Sequence, residues 1–214
     1  MGRREIADSF RSGATLRIVF LDRASIHAEF RAPAFPCEWR DYAGTAPAEI
    51  LARARDADML VVNKVALDAA NLAQLPKLKF IAVCATGTNN IALAACRERG
   101  IAVANVRDYA VHTVPEHVFM LLLALRRNLF AYRDALADGA WQRAEQFCLF
   151  DPPLHDLHGS TLGIVGYGSI GRAVARRASA WGLSVLIAEH KDASSVRAGY
   201  TAFAEVIAKA DAIS

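Results

Sequence analysis

The chain has 214 residues, of which 54% are hydrophobic and 22% charged, with 13 Gly and 7 Pro. That balance excludes disordered, collagen-like and low-complexity classes and is enough for one large or two small soluble domains. The net charge of +3 comes from dispersed residues apart from Arg3, Arg4 and Arg11, so no nucleic-acid partner is expected. The longest strongly apolar stretch, 118–125, is far short of the roughly 20 residues that a membrane span needs, so no membrane partner is expected either. Residues 1–15 are basic without the apolar centre of a secretory signal and read as a polar N-terminal extension. Cys37, Cys84, Cys96 and Cys148 form no CxxC pair, which points away from a metal site or a disulfide framework and towards reduced thiols in a cytoplasm.

From Leu16 onward, short apolar runs alternate with helical stretches, the pattern of an α/β fold with a parallel sheet. Strands are expected over 16–21, 59–62, 78–83 and 101–104, each almost continuously apolar, as strands buried on both faces are. Helices are expected between them over 47–55, 68–75 and 91–99, with Asp68 as an N-cap and Gly100 just past the third helix. A first domain therefore covers 16–105 and a second 106–214. The second opens with a long helix over 115–136, started by Pro115 and a Thr113/Glu116 capping box. Its first turns, 118–123, are apolar nearly all round, which predicts burial on several sides. Residues 151–158 read as a loop. A second α/β unit begins at Thr161, includes a helix over 203–209, and reaches the opening of a further strand at 211–214.

Gly166-Tyr167-Gly168-Ser169-Ile170-Gly171 directly follows the apolar run 161–165 and opens a helix with Ile170, Val174, Ala178 and Trp181 on one face. A bare glycine triplet is a weak sign, because glycine turns join strands to helices in many proteins. Here the strand, the helix, Gly182 at its end, a second strand over 184–188 and an acid all accompany it. In such a turn the first glycine permits the bend, the second lets a pyrophosphate approach the backbone, and the third lets helix and strand pack closely. Glu189, 18 residues past Gly171, stands where ribose hydroxyls are expected. Its charge favours NAD over a cofactor with a 2′-phosphate, and His190 and Lys191 partly offset that preference.

Ala85-Thr86-Gly87-Thr88-Asn89-Asn90-Ile91, followed by 105–117 (NVRDYAVHTVPEH), resembles the D-isomer-specific 2-hydroxyacid dehydrogenase family. Phe20-Leu21-Asp22-Arg23, Val62-Asn63-Lys64, Asp138-Gly139-Ala140-Trp141 and Ala188-Glu189-His190 resemble its glycerate dehydrogenase (hydroxypyruvate reductase) branch. The resemblance implies a flavodoxin-like substrate domain followed by a partial Rossmann NAD-binding domain. It also implies a small 2-hydroxy or 2-oxo acid substrate, NAD as cofactor and a homodimer. By the same resemblance, amides of Thr86, Gly87 and Thr88 hold the substrate carboxylate, with Lys64 facing that pocket, and Thr113 lies beside the nicotinamide ribose. Capping explains Thr113 equally well.

Hydride transfer to a 2-oxo acid needs a proton donor and a cation to orient the carboxylate. The family's arginine, glutamate and histidine correspond to segments beyond residue 214, so no catalytic residue is assigned here and the chain is expected to be C-terminally truncated and inactive by itself. A non-catalytic NAD-binding module, or an inert remnant of a disrupted gene, is the alternative. Ala92 also departs from the family, which commonly has an acid there at the start of a helix.

Overall fold

The computed structural model describes residues 15–31 and 33–214, so the polar extension lies outside the described residues except for Thr15. The chain divides between Arg107 and Asp108 into two compact units. The first is built on a parallel sheet of β1 (Leu16–Phe20), β2 (Cys37–Asp41), β3 (Met59–Val62), β4 (Phe80–Val83) and β5 (Ala102–Asn105), in the order β2-β1-β3-β4-β5. This is the flavodoxin-like order, with the direction of winding reversing between β1 and β3. In register, Ile18 stands beside Met59, Leu60 beside Ile81 and Ile81 beside Val103.

Both faces of this sheet are covered, which is why its central strands are continuous apolar runs. On one face Val19, Leu60, Val62, Ile81 and Val83 pack with Ile50, Leu72, Leu75 and Cys96 from the helical side. On the other, Ile18, Phe20 and Val61 pack with Cys37 and Trp39. The sequence pattern did not predict β2. It is an edge strand whose Cys-Glu-Trp-Arg-Asp run turns only alternate residues inward, so it carries no apolar run.

Helices α1 (Ile50–Ala54), α2 (Ala69–Ala73) and α3 (Leu93–Glu98) connect the strands, and a 3₁₀ turn at Pro47–Glu49 leads into α1. Asp68 caps α2 by accepting the Asn71 amide at 2.7 Å, as its position predicts. Ala92 stands at the N-cap of α3 with no side-chain bond.

In the second unit the expected single helix is two. Helix α4 runs Ala110–Arg126 and α5 Leu129–Ala137, with Asn128 between them in a left-handed conformation (φ 47°). A one-turn helix α6 (Ala140–Arg143) follows. Helix α4 begins before the expected capping box, so Thr113 and Glu116 are helical residues of its second turn and cap nothing. Pro115 thus lies inside the helix, leaving the Val111 carbonyl without its usual amide. That carbonyl accepts a long 3.5 Å bond from Arg177 instead. The apolar run is also less enclosed than expected: Phe119 and Leu122 are buried, whereas Met120, Leu121 and Leu125 are exposed.

Strands β6 (Thr161–Ile164), β7 (Ser184–Ile187) and β8 (Ala212–Ile213) form a parallel sheet in the order β7-β6-β8. Outside β7, Ala188 makes a single parallel bridge to Thr201. Counting that bridge as a vestigial strand, the order is 3-2-1-4, the first four strands of the Rossmann order 3-2-1-4-5-6. Helix α7 (Ser169–Ala180) buries Val174 and Ala178 against β6 and α4, but the expected face is exposed at both ends, at Ile170 and Trp181. Trp181 stacks on Phe119 with centroids 6.0 Å apart. Helix α8 (Phe203–Lys209) precedes β8. Among the described residues no helix is long and apolar enough to cross a membrane, and no cluster of three His, Cys, Asp or Glu could hold a metal.

The core makes a quantitative prediction. Leu60 is fully buried in β3, so Leu60→Ala should cost about 2–5 kcal/mol by urea unfolding, whereas loss of the exposed Asp68 cap should cost about 1 kcal/mol. Equal costs would contradict the placement of the core.

Candidate functional site

Two sets of loops emerge at the carboxyl ends of parallel strands, one in each unit, and each carries part of the residues singled out above. In the second unit, β6 runs into the glycine turn. Gly166 has φ +99°, a conformation that an L side chain would adopt only with strain. A Cβ on Gly171 would lie 2.1 Å from the Gly166 carbonyl oxygen, so the third glycine is demanded by close packing. A Cβ on Gly168 would meet nothing within 4 Å, so what Gly168 leaves open is space outside the turn. No side chain caps α7, and the amides of Gly168, Ser169 and Ile170 have no acceptor among the described residues. Free amides and the positive end of a three-turn helix, facing open space, are the elements that hold a pyrophosphate. The residues present therefore fit a dinucleotide.

Gly166, Tyr167, Glu189 and His190 line one cleft together with Lys191, Arg197, Tyr200 and Phe203. Glu189 is only 4% exposed. Its Oε1 accepts the His190 amide at 2.8 Å and Arg197 Nη2 at 2.7 Å, while Oε2 accepts the Arg197 amide at 3.1 Å and Nε at 2.7 Å. The Arg197 guanidinium, and after it the His190 amide, hold this carboxyl down at about 2. Arg197 was not singled out from the sequence, because a cation eight residues past the acid in a polar loop has no distinguishing pattern. Thr113 is an exposed residue of α4, a helix packed against α7 through Phe119 and Leu122; it is not among the residues lining the Glu189 cleft.

In the first unit, the turn after β4 presents Thr86, Gly87 and Thr88. Their three successive amides have no acceptor among the described residues, so they are free to meet an anion. The turn is fastened from behind. Thr86 Oγ1 donates to the Val106 carbonyl at 2.9 Å, and Asn105 Nδ2 donates to the Thr86 carbonyl at 2.7 Å. Lys64 follows β3 with an exposed side chain that has no partner among the described residues.

Asp22 positions this region and was quoted in the sequence only as part of a motif. It is 5% exposed at the end of β1. Its carboxylate accepts the amides of Asn63 at 2.9 Å, Lys64 at 2.6 Å and Val65 at 3.0 Å. Asn90 reaches the same turn, donating to the Val65 carbonyl at 2.9 Å. A lone acid ending an apolar strand is a readable signal, since a buried carboxylate must find donors. Burial pushes the Cys84 and Cys96 thiols up, away from thiolate chemistry. No imidazole of the described histidines bonds a carboxylate, so no acid–base pair is assembled among their rings.

A flavodoxin-like unit followed by a glycine-turn unit with an acid at the end of its second strand has the layout of dinucleotide-binding α/β folds. Residues 19–213 match the family model described as D-isomer specific 2-hydroxyacid dehydrogenase, catalytic domain, and the chain belongs to that family. It is 46% identical over 200 residues to a Haemophilus influenzae protein carrying a provisional 2-hydroxyacid dehydrogenase name, covering 92% of this chain and 64% of that one. It is 48% identical over 173 residues to the glycerate dehydrogenase of Methylorubrum extorquens, covering 80% of this chain and 55% of that one. The chain thus spans less than two thirds of the length of these relatives. Among solved structures, the TT0316 protein of Thermus thermophilus aligns with a TM-score of 0.69 at 26% identity, over 92% of this chain and 63% of that one.

Two outcomes are expected from this geometry. Gly168→Ala should leave the melting temperature unchanged and weaken NADH binding, whereas Gly171→Ala should cost about 1–3 kcal/mol of stability, read by urea unfolding. The lowered Glu189 carboxyl contributes stability that is complete above its ordinary value of 4.5 and is lost as pH falls towards about 2. The melting-temperature gap between the unmodified chain and Glu189→Gln should therefore be constant above pH 4.5 and shrink below it; a gap that grows on acidification would refute the assignment.

Proposed function

We propose that this chain is the substrate-binding and adenosine-binding part of a D-2-hydroxyacid oxidoreductase of the glycerate dehydrogenase (hydroxypyruvate reductase) type. The observation that carries this reading is the pairing of two unsatisfied amide rows, at 86–88 and at the glycine turn, in a chain 48% identical to a glycerate dehydrogenase. The first unit, up to Arg107, is the substrate domain. Its Thr86, Gly87 and Thr88 amides take the carboxylate of a small 2-hydroxy or 2-oxo acid, and Lys64 adds positive charge. The second unit, from Asp108, takes NAD through Gly166, Tyr167, Gly168, Ser169, Ile170 and Gly171, with Glu189 and His190 at the adenosine ribose and Thr113 on the nicotinamide side. When bound, the nicotinamide supplies the hydride. The chain's own residues bind and orient the two reactants.

No imidazole–carboxylate pair stands among the described residues to protonate the carbonyl oxygen, so residues 1–214 are read as inactive by themselves. The exposed apolar residues Met120, Leu121 and Leu125 of α4 suit a homodimer contact, and the free thiols suit a cytoplasmic setting.

The deciding experiment combines NADH fluorescence titration with NADH-dependent reduction of hydroxypyruvate and glyoxylate by the purified chain. Binding without turnover is expected. Turnover would place the proton donor inside residues 1–214 and overturn the inactivity, and a folded chain that binds no NADH would overturn the cofactor assignment.

A further inference from the structure

An acid at the end of the second Rossmann strand selects NAD by accepting two ribose hydroxyls and repelling a 2′-phosphate. Neither function is open to Glu189 as it stands. An ionised carboxylate has about four lone-pair positions, and here all four are taken, by two amides and by the Nε and Nη2 of Arg197. The guanidinium meets the carboxylate as a fork, the strongest geometry for such a pair. The repelling charge is therefore cancelled at its source.

The arrangement follows from the sheet. Its third strand is reduced to the Ala188–Thr201 bridge, so residues 190–200 form a loop that folds back over Glu189. Glu189 N–H donates to the Thr201 carbonyl at 2.8 Å, which closes the loop. The loop carries Arg197 onto the face of Tyr200, 3.9 Å from the ring centroid, and Tyr200 meets Tyr167 of the glycine turn edge-on at 6.3 Å. Arg197 is thus braced at the mouth of the cleft, with its side chain 54% exposed while that of Glu189 is 3% exposed. Its Nη1 has no partner among the described residues. Lys191 lines the same cleft, so Glu189, Arg197 and Lys191 together present net positive charge.

We propose that Arg197 sets the cofactor preference of this unit: by occupying Glu189 it lets the acidic ribose site accept NADP(H) as well as NAD(H), and its exposed guanidinium edge faces the 2′-phosphate. This rests on the dinucleotide-binding reading above. Arg197 is a specificity-determining residue, and Glu189 positions it.

The test is fluorescence titration of the full 214-residue chain with NADH and with NADPH, alongside thermal melting. The unmodified chain should bind the two within about tenfold of each other. Arg197→Gln bares the carboxylate and should raise the NADPH-to-NADH ratio of dissociation constants by about tenfold or more, with NADH changed less than about threefold. Glu189→Gln should lower the ratio. Arg197→Lys, which keeps the charge but loses the fork, should raise the ratio by less than Arg197→Gln does. Should Arg197→Gln fail to fold because it strands a buried charge, the double variant Glu189→Gln/Arg197→Gln removes both charges and should weaken NADPH selectively against Glu189→Gln alone. Tight NADH binding with NADPH rejected more than about a hundredfold would overturn the proposal and leave the dinucleotide site standing, as would equal losses for both cofactors in Arg197→Gln. A cooperatively melting chain that binds neither would overturn both.

Discussion

The carboxylate of Asp22, immersed at the end of β1, has to be matched by donors, and it takes three consecutive amides from the turn after β3. A buried charge without such partners costs several kcal/mol, so this turn cannot drift without exposing or stranding the acid. Asn90 ties the same turn to the loop after β4, and Asn105 and Val106 tie that loop to the end of β5. The carboxyl edge of the first sheet is therefore one hydrogen-bonded assembly. Within it, the amides of Thr86, Gly87 and Thr88 form a consecutive row with no acceptor among the described residues. Rigidity behind the row and vacancy along it have the same origin.

The second unit reaches a comparable result by a different route. There the constraint is steric: Gly171 packs directly on the Gly166 carbonyl, which aims the start of α7 back across the turn. The amides of Gly168, Ser169 and Ile170 are left facing open space. Next to this row the buried acid is satisfied internally, by Arg197, so a residue whose type suggests a ligand contact is already committed to a protein contact. An acid at the end of each of two parallel strands thus does different work. Asp22 fastens a loop, whereas Glu189 holds a cation at a cleft.

Much of this organisation is legible in the residues. Continuous apolar runs mark β1, β3, β4 and β5, because strands covered on both faces admit few polar side chains. The glycine turn is legible because each glycine answers a separate backbone demand. Edge strand β2 is not, since half of its side chains face solvent. The start of α4 was misplaced for a related reason. Thr113, Pro115 and Glu116 carry every local sign of a helix start, yet the helix continues back to Ala110 because tertiary contacts offset the missing Pro115 amide, including the Arg177 bond to Val111. The break at Asn128 accompanies its side chain donating to the Pro153 carbonyl, a contact 25 residues away that no local pattern contains.

The sequence by itself determined the α/β class, the central strands of the first sheet and the strand–glycine turn–helix run of the second, because periodicity and glycine placement are local properties of the chain. Only the tertiary structure decided which charged residues are spoken for. Asp22 meets amides some forty residues away, and Glu189 meets a guanidinium across a loop whose length is set by a strand shrunk to one bridge. A side chain's chemistry is written in its residue type, but its availability depends on what the fold has placed within hydrogen-bond reach.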